Sequence, residues 1–96
     1  MTEQEQYELL IEQFIEREKL SVTIIEEEAK VNSLVAVSIY EEWEKYHDEI
    51  FWHNAIYEIS FMDEVPTPVR IMKEFDISLY FATKIFDYYI ELVNDK

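Results

Sequence analysis

The residues best suited to chemistry lie in the middle of the chain. Glu44-Lys45-Tyr46-His47 is a Glu-x-x-His, a spacing that sets a carboxylate and an imidazole on one helix face and that di-iron bundles use in pairs. This chain has a single copy. Glu49 and His53, four apart, could also share a metal. His47 and His53 are six apart and face different sides of a helix. Both therefore read as surface or interface side chains of an aromatic-rich helix, and no metal site is expected. The chain has no Cys, which removes thiolate ligands, and no Gly, which removes phosphate-cradling and dinucleotide-binding loops. No nucleophile motif occurs. Carboxylate neighbours such as Asp63-Glu64 carry little meaning among 22 acids. No catalytic residue and no cofactor are assigned, and the chain is not expected to be an enzyme.

The elements around those residues read as helices. Tyr7, Leu10, Ile11, Phe14 and Ile15 recur at helical spacing and predict a helix over about Glu5–Glu18. Glu5, Glu8, Glu12 and Glu16 line another of its faces. Ser21 caps a short helix over Val22–Ala29, a corner follows at Lys30-Val31, and Asn32 caps the next helix. From Ser33 the apolar rhythm Ile39, Trp43, Tyr46, Ile50, His53, Tyr57, Ser60/Phe61 predicts a long packed seam. That helix runs to about Met62 or bends near Asp48 or Asn54. A short strand over 56–61 is the second choice. Val65-Pro66-Thr67-Pro68 is a stiff connector, with Pro68 opening a helix to about Phe75. Asp76-Ile77 turns, Ser78 caps, and a last helix carries Leu79 to about Val93.

Ninety-six residues with 49% hydrophobic and 16% aromatic content predict one folded domain, all-α, a compact bundle of about five helices. The missing Gly also disfavours tight hairpins. The acidic start, Met1-Thr2-Glu3-Gln4-Glu5, is unlike a secretory signal, and no apolar run approaches the ~20 residues of a membrane span. A cytoplasmic protein is expected. The aromatic set Tyr40, Trp43, Tyr46, Phe51, Trp52, Tyr57 and Phe61 exceeds what one helix face can bury. Core and partner interface, including a homodimer, both remain open for it.

Two segments match at an offset of 46, residues 25–40 and 71–86. Identical pairs are Ile25/Ile71, Glu28/Glu74, Ala36/Ala82 and Ile39/Ile85; similar pairs are Val31/Ile77, Asn32/Ser78 and Tyr40/Phe86. Short helix, corner with an apolar plug, cap, and a second helix with a small residue four positions on: each segment resembles the helix-turn-helix superfamily. The resemblance covers about 25 residues per copy. It implies that Val31 and Ile77 plug the corners, and that Ala36 and Ala82 let the helices cross closely. It also implies a DNA-facing second helix, which family members furnish with basic and amide side chains. Here those outward positions hold Ser33, Leu34, Val37 and Ser38 in one copy. In the other they hold Leu79, Tyr80, Thr83 and Lys84. The family's turn glycine is replaced by Lys30 and Asp76, of which Asp better tolerates a left-handed backbone.

Charge then selects the partner. Of the net −14, residues 1–64 carry −13 (17 acids, 4 bases) and residues 65–96 carry −1 (5 acids, 4 bases). The chain thus divides into a strongly acidic segment over residues 1–64, the connector 65–68 and a near-neutral C-terminal unit 69–96. A domain of this size spans ~30 Å, and duplex DNA of that length carries about 18 phosphates. The expectation is an acidic regulator that occupies a basic, nucleic-acid-binding protein, in the manner of DNA-mimicking phage or mobile-element inhibitors. Its candidate contacts are Glu12, Glu16, Glu26, Glu27, Glu41, Glu44, Asp48 and Trp52. The alternative is a dimeric DNA-binding regulator using Arg70, Lys73, Tyr80 and Lys84. Phosphate repulsion disfavours direct nucleic-acid binding.

Overall fold

The computed structural model describes residues 1–95; Lys96, the last residue of the expected C-terminal unit, lies outside them. The described residues are all-α, with no strand. They form α1 (Glu3–Phe14), α2 (Val22–Ala29), α3 (Ser33–Tyr46), α4 (Glu49–Ser60), α5 (Pro68–Phe75) and α6 (Leu79–Asn94). The chain divides into two compact units, Met1–His47 and the residues from Asp48 onward. In the first, α3 packs on both α1 and α2; in the second, α6 packs on both α4 and α5. The first core gathers Ile11, Phe14, Ile15, Ile25, Ala36 and Ile39, and the second Ala55, Ile59, Ile71, Phe81, Ala82 and Ile85.

Local chemistry starts every helix. Thr2, Ser21, Asn32, Asp48, Thr67 and Ser78 each turn a side-chain oxygen onto a backbone N–H of the first turn. A cap of this kind contributes about 1 kcal/mol. Pro68 opens α5, where its missing N–H has no intrahelical partner to lose.

The two helix–corner–helix segments match position by position. Lys30 and Asp76 both close their helices in the left-handed region, at φ 55°, ψ 45° and φ 53°, ψ 55°. The Lys30 N–H donates to the Glu26 carbonyl at 2.9 Å and its counterpart, the Asp76 N–H, to the Met72 carbonyl, which the Ile77 N–H also reaches at 3.1 Å. These bonds satisfy carbonyls that the helix end would otherwise leave open. Ile77 is buried in its corner and Val31 half-buried in the other. Ile25/Ile71, Ala36/Ala82 and Ile39/Ile85 are buried in both copies. The equivalence stops upstream of the corners. Helices α1 and α4 also start 46 residues apart, yet their buried positions, Ile11/Ile15 and Ala55/Ile59, differ by 44.

A left-handed residue with a Cβ costs ~1–2 kcal/mol. Glycine removes that cost but loses ~0.5–1 kcal/mol through the freer unfolded chain. Lys30→Gly is therefore expected to stabilise by about 0.5–1 kcal/mol, a rise in Tm of about 2–8 °C. Asp76→Gly should gain less, and β-branched Lys30→Val should lower Tm. Thermal melts by circular dichroism check all three.

Three expectations are corrected or decided by the structure. First, α1 ends at Phe14 rather than near Glu18: the Arg17 N–H turns onto the Phe14 carbonyl at 3.1 Å, a tighter i→i+3 bond in place of the helical one, and side chains of α3 then hold the carbonyls beyond the end. Trp43 Nε1–H donates to the Arg17 carbonyl at 2.8 Å, and His47 Nε2 lies 2.9 Å from the Ile15 carbonyl. Second, of the courses open to the long helix, an unbroken run or a bend near Asp48 or Asn54, the structure takes the break near Asp48, and the resulting six helices accord with a bundle of about five. The chain breaks at His47-Asp48, where the Asp48 carboxylate accepts from the Ile50 N–H at 2.9 Å. The strand considered for 56–61 is the end of α4. Third, the seam does not continue past the break. Helix α4 buries Ala55 and Ile59, while Ile50, Tyr57 and Phe61 are exposed.

Candidate protein-binding surfaces

Counted by compact unit, the acidity is shared. Residues 1–47 hold 12 acids and 4 bases, net −8; residues 48–96 hold 10 acids and 4 bases, net −6. The near-neutral stretch after residue 64 belongs to the same unit as α4, whose segment supplies Asp48, Glu49 and Glu58.

Six of the eight candidate partner contacts lie in the first unit. Glu12 is exposed on α1, Glu27 on α2, and Glu41 and Glu44 on α3. Glu16, just past α1, accepts from the Tyr46 hydroxyl at 3.0 Å. Glu26 accepts from the Ser33 hydroxyl at 3.1 Å. The Tyr7 and Ser38 hydroxyls meet at 3.0 Å and bridge α1 to α3. The other two candidates lie in the second unit and hold structure there. Asp48 caps α4, and the half-buried Trp52 packs on Phe81 (ring centroids 5.4 Å) and Tyr88 (5.8 Å).

The outward face of α3 aligns Leu34, Val37, Glu41 and Glu44 at helical spacing, with Leu34 83% exposed. On α6 the corresponding line is Tyr80, Thr83, Lys84 and Asp87, with the Lys84 ammonium 5.3 Å from the Tyr80 ring centroid. Arg70 and Lys73 are exposed together on α5, beside exposed Glu74. Each group of bases thus has a carboxylate on or beside its own face.

The histidine of the Glu-x-x-His is committed to the fold. Hydrogen bonding to the Ile15 carbonyl requires the proton on His47 Nε2, and the ring lies 5.0 Å from Trp43. Among the described residues no three His, Asp or Glu side chains converge as a metal site, and no helix is long and apolar enough to cross a membrane.

One contact was invisible in the pattern of single helices. Arg17 grips Glu28 of α2 with two bonds, 2.7 and 2.9 Å. The hydrogen bond from Arg17 holds the Glu28 carboxyl below its usual range, and Glu28 in turn raises Arg17. A depressed carboxylate adds stability above its unfolded value, 4.5, which is lost as pH falls through the folded value. Relative to Glu28→Gln, the wild-type Tm should be higher at pH 7, and the gap should close under acid. The pair is exposed, so the gap should be small at 0.15 M salt. Parallel melts from pH 7 to 3 measure it.

Comparison with protein-family models, with curated proteins and with solved structures returns no match.

Proposed function

We propose that this chain is an acidic binding regulator whose surface occupies the nucleic-acid-binding face of a basic protein. The observation that carries the proposal is the net charge of −14 spread over both compact units, with exposed carboxylates on the outward side of α1 and α3. Such a surface attracts a basic groove over roughly a Debye length, ~10 Å at 0.1 M salt. Association of this kind weakens steeply as salt rises. The helix–corner–helix segments resemble helix-turn-helix units and serve here as scaffold. Use of Arg70, Lys73, Tyr80 and Lys84 on duplex DNA is disfavoured by Glu74 and Asp87 beside them and by like charge overall.

The test is competition. Immobilised protein should retain nucleic-acid-binding proteins of high pI at 0.05 M salt, release them by ~0.5 M, and lose them to added duplex DNA. A mobility shift of duplex DNA by the protein itself, or retention indifferent to salt, would overturn the proposal.

A further inference from the structure

Helix α4 is apolar on both sides. Its inner side buries Ala55 and Ile59 and half-buries Phe51, Trp52 and Ile56. Its outer side carries Ile50, Tyr57 and Phe61, which are 71%, 60% and 70% exposed. Spaced by seven and four residues, these three fall within ~20° of one line at 100° per residue and span about 16 Å along the helix. The Tyr57 and Phe61 rings meet edge to face at 4.8 Å. Exposed His53 and Asn54 lie on the same side between Ile50 and Tyr57, so the line is apolar at both ends and polar at that turn. Scattered exposed apolar residues are ordinary; three on one line, two of them rings in contact, form a contiguous patch of the kind interaction sites use. The rim of this line has one sign of charge. Glu49 and Glu58 flank it on either side, Asp63 and Glu64 follow it, and no Lys or Arg occurs between Lys45 and Arg70.

We infer that the outer face of α4 docks an amphipathic helix of a basic partner, taking its apolar stripe along Ile50, Tyr57 and Phe61 and its flanking Lys or Arg onto Glu49 and Glu58. The inference rests on the basic-partner reading above and adds where and how that partner is gripped. A helix laid against a helix presents side chains at i, i+3/i+4 and i+7; Ile50 and Tyr57 are the i and i+7 members here and Phe61 follows four further on, with His53 and Asn54 at the intervening turn. The rim decides between occupants. A second copy would set the same four carboxylates against each other on chains that each carry −14, and an anionic lipid surface would be repelled in the same way.

The experiment uses two synthetic 18-residue amphipathic helices with the same leucine stripe, one flanked by lysine and one by glutamate. Titrated into the ¹⁵N-labelled protein, the lysine peptide should perturb amides of residues 50–61 and bind at least ~10-fold more tightly than the glutamate peptide at 0.05 M salt. The exposed double variant Tyr57→Ser/Phe61→Ser should keep its thermal melt and weaken binding at least ~10-fold, as expected for aromatic anchors. No binding, equal binding of both peptides, or perturbations confined to other helices would overturn the inference. So would concentration-dependent dimerisation abolished by the double variant, which would make the occupant a second copy. The same variant separates the two proposals. If it retains salt-sensitive, DNA-competed binding of basic proteins undiminished, the α4 site fails and the broader function stands. If wild type shows no such binding, the broader function fails.

Discussion

Phe81→Ala is expected to cost about 3–5 kcal/mol, a large share of the stability of a small domain. Phe81 is fully buried at the first turn of α6, and its ring lies 5.5 Å from Phe51 and 5.4 Å from Trp52 of α4. Truncation removes the transfer free energy of the ring and leaves a cavity between two helices that cannot close without moving their aromatic partners. Total stabilities of small domains are ~5–15 kcal/mol. The measurement is direct because each unit has one tryptophan, Trp43 in the first and Trp52 in the second. Urea titrations followed by Trp52 emission in a Trp43→Phe background should show the midpoint collapse in Phe81→Ala. An unfolding free energy within ~1 kcal/mol of the parent would contradict the packing described.

The second large effect is on binding. Reversing Glu12, Glu16, Glu41 and Glu44 to Lys moves the net charge from −14 to −6 and turns four attractions toward a basic groove into repulsions. At about 1 kcal/mol per site near the surface, the sum is about 4 kcal/mol, a roughly thousandfold loss of affinity. Glu16 also gives up the Tyr46 hydroxyl, so the variant's melt must be checked alongside. The matched control reverses Glu74, Asp87, Glu91 and Asp95 on α5, α6 and the residue after it, which changes the total charge equally. Equal loss in both variants would mean that net charge alone governs binding and that α1 and α3 form no special surface.

How much of this was legible in the chain follows from range. The caps Ser21, Asn32 and Ser78, the opening Pro68, and the limits of α2 at Val22 and Ala29 were readable because each depends on one or two neighbours along the sequence. The repeat at 46 was readable for the same reason, since every matched position serves a corner a few residues long. Lys30 in a left-handed conformation shows that the corner's geometry outweighs the preference of the residue placed in it.

The candidate site was less legible. The aromatic rhythm from Ile39 to Phe61 is real, yet a rhythm states that a face is apolar and not whether anything covers it. The acids were visible as rows, but Arg17 on Glu28 and Tyr46 on Glu16 join residues 11 and 30 apart. The sequence by itself determined the all-α class, the acidity and the two corners, through local capping, proline and charge. Only the tertiary structure decided that α1 stops at Phe14, that α3 and α4 are separate, and that α4 turns its aromatics outward. Those outcomes depend on contacts made across the fold, among them Trp43 on the Arg17 carbonyl and His47 on the Ile15 carbonyl, 26 and 32 residues away, and on which of two apolar faces finds a partner.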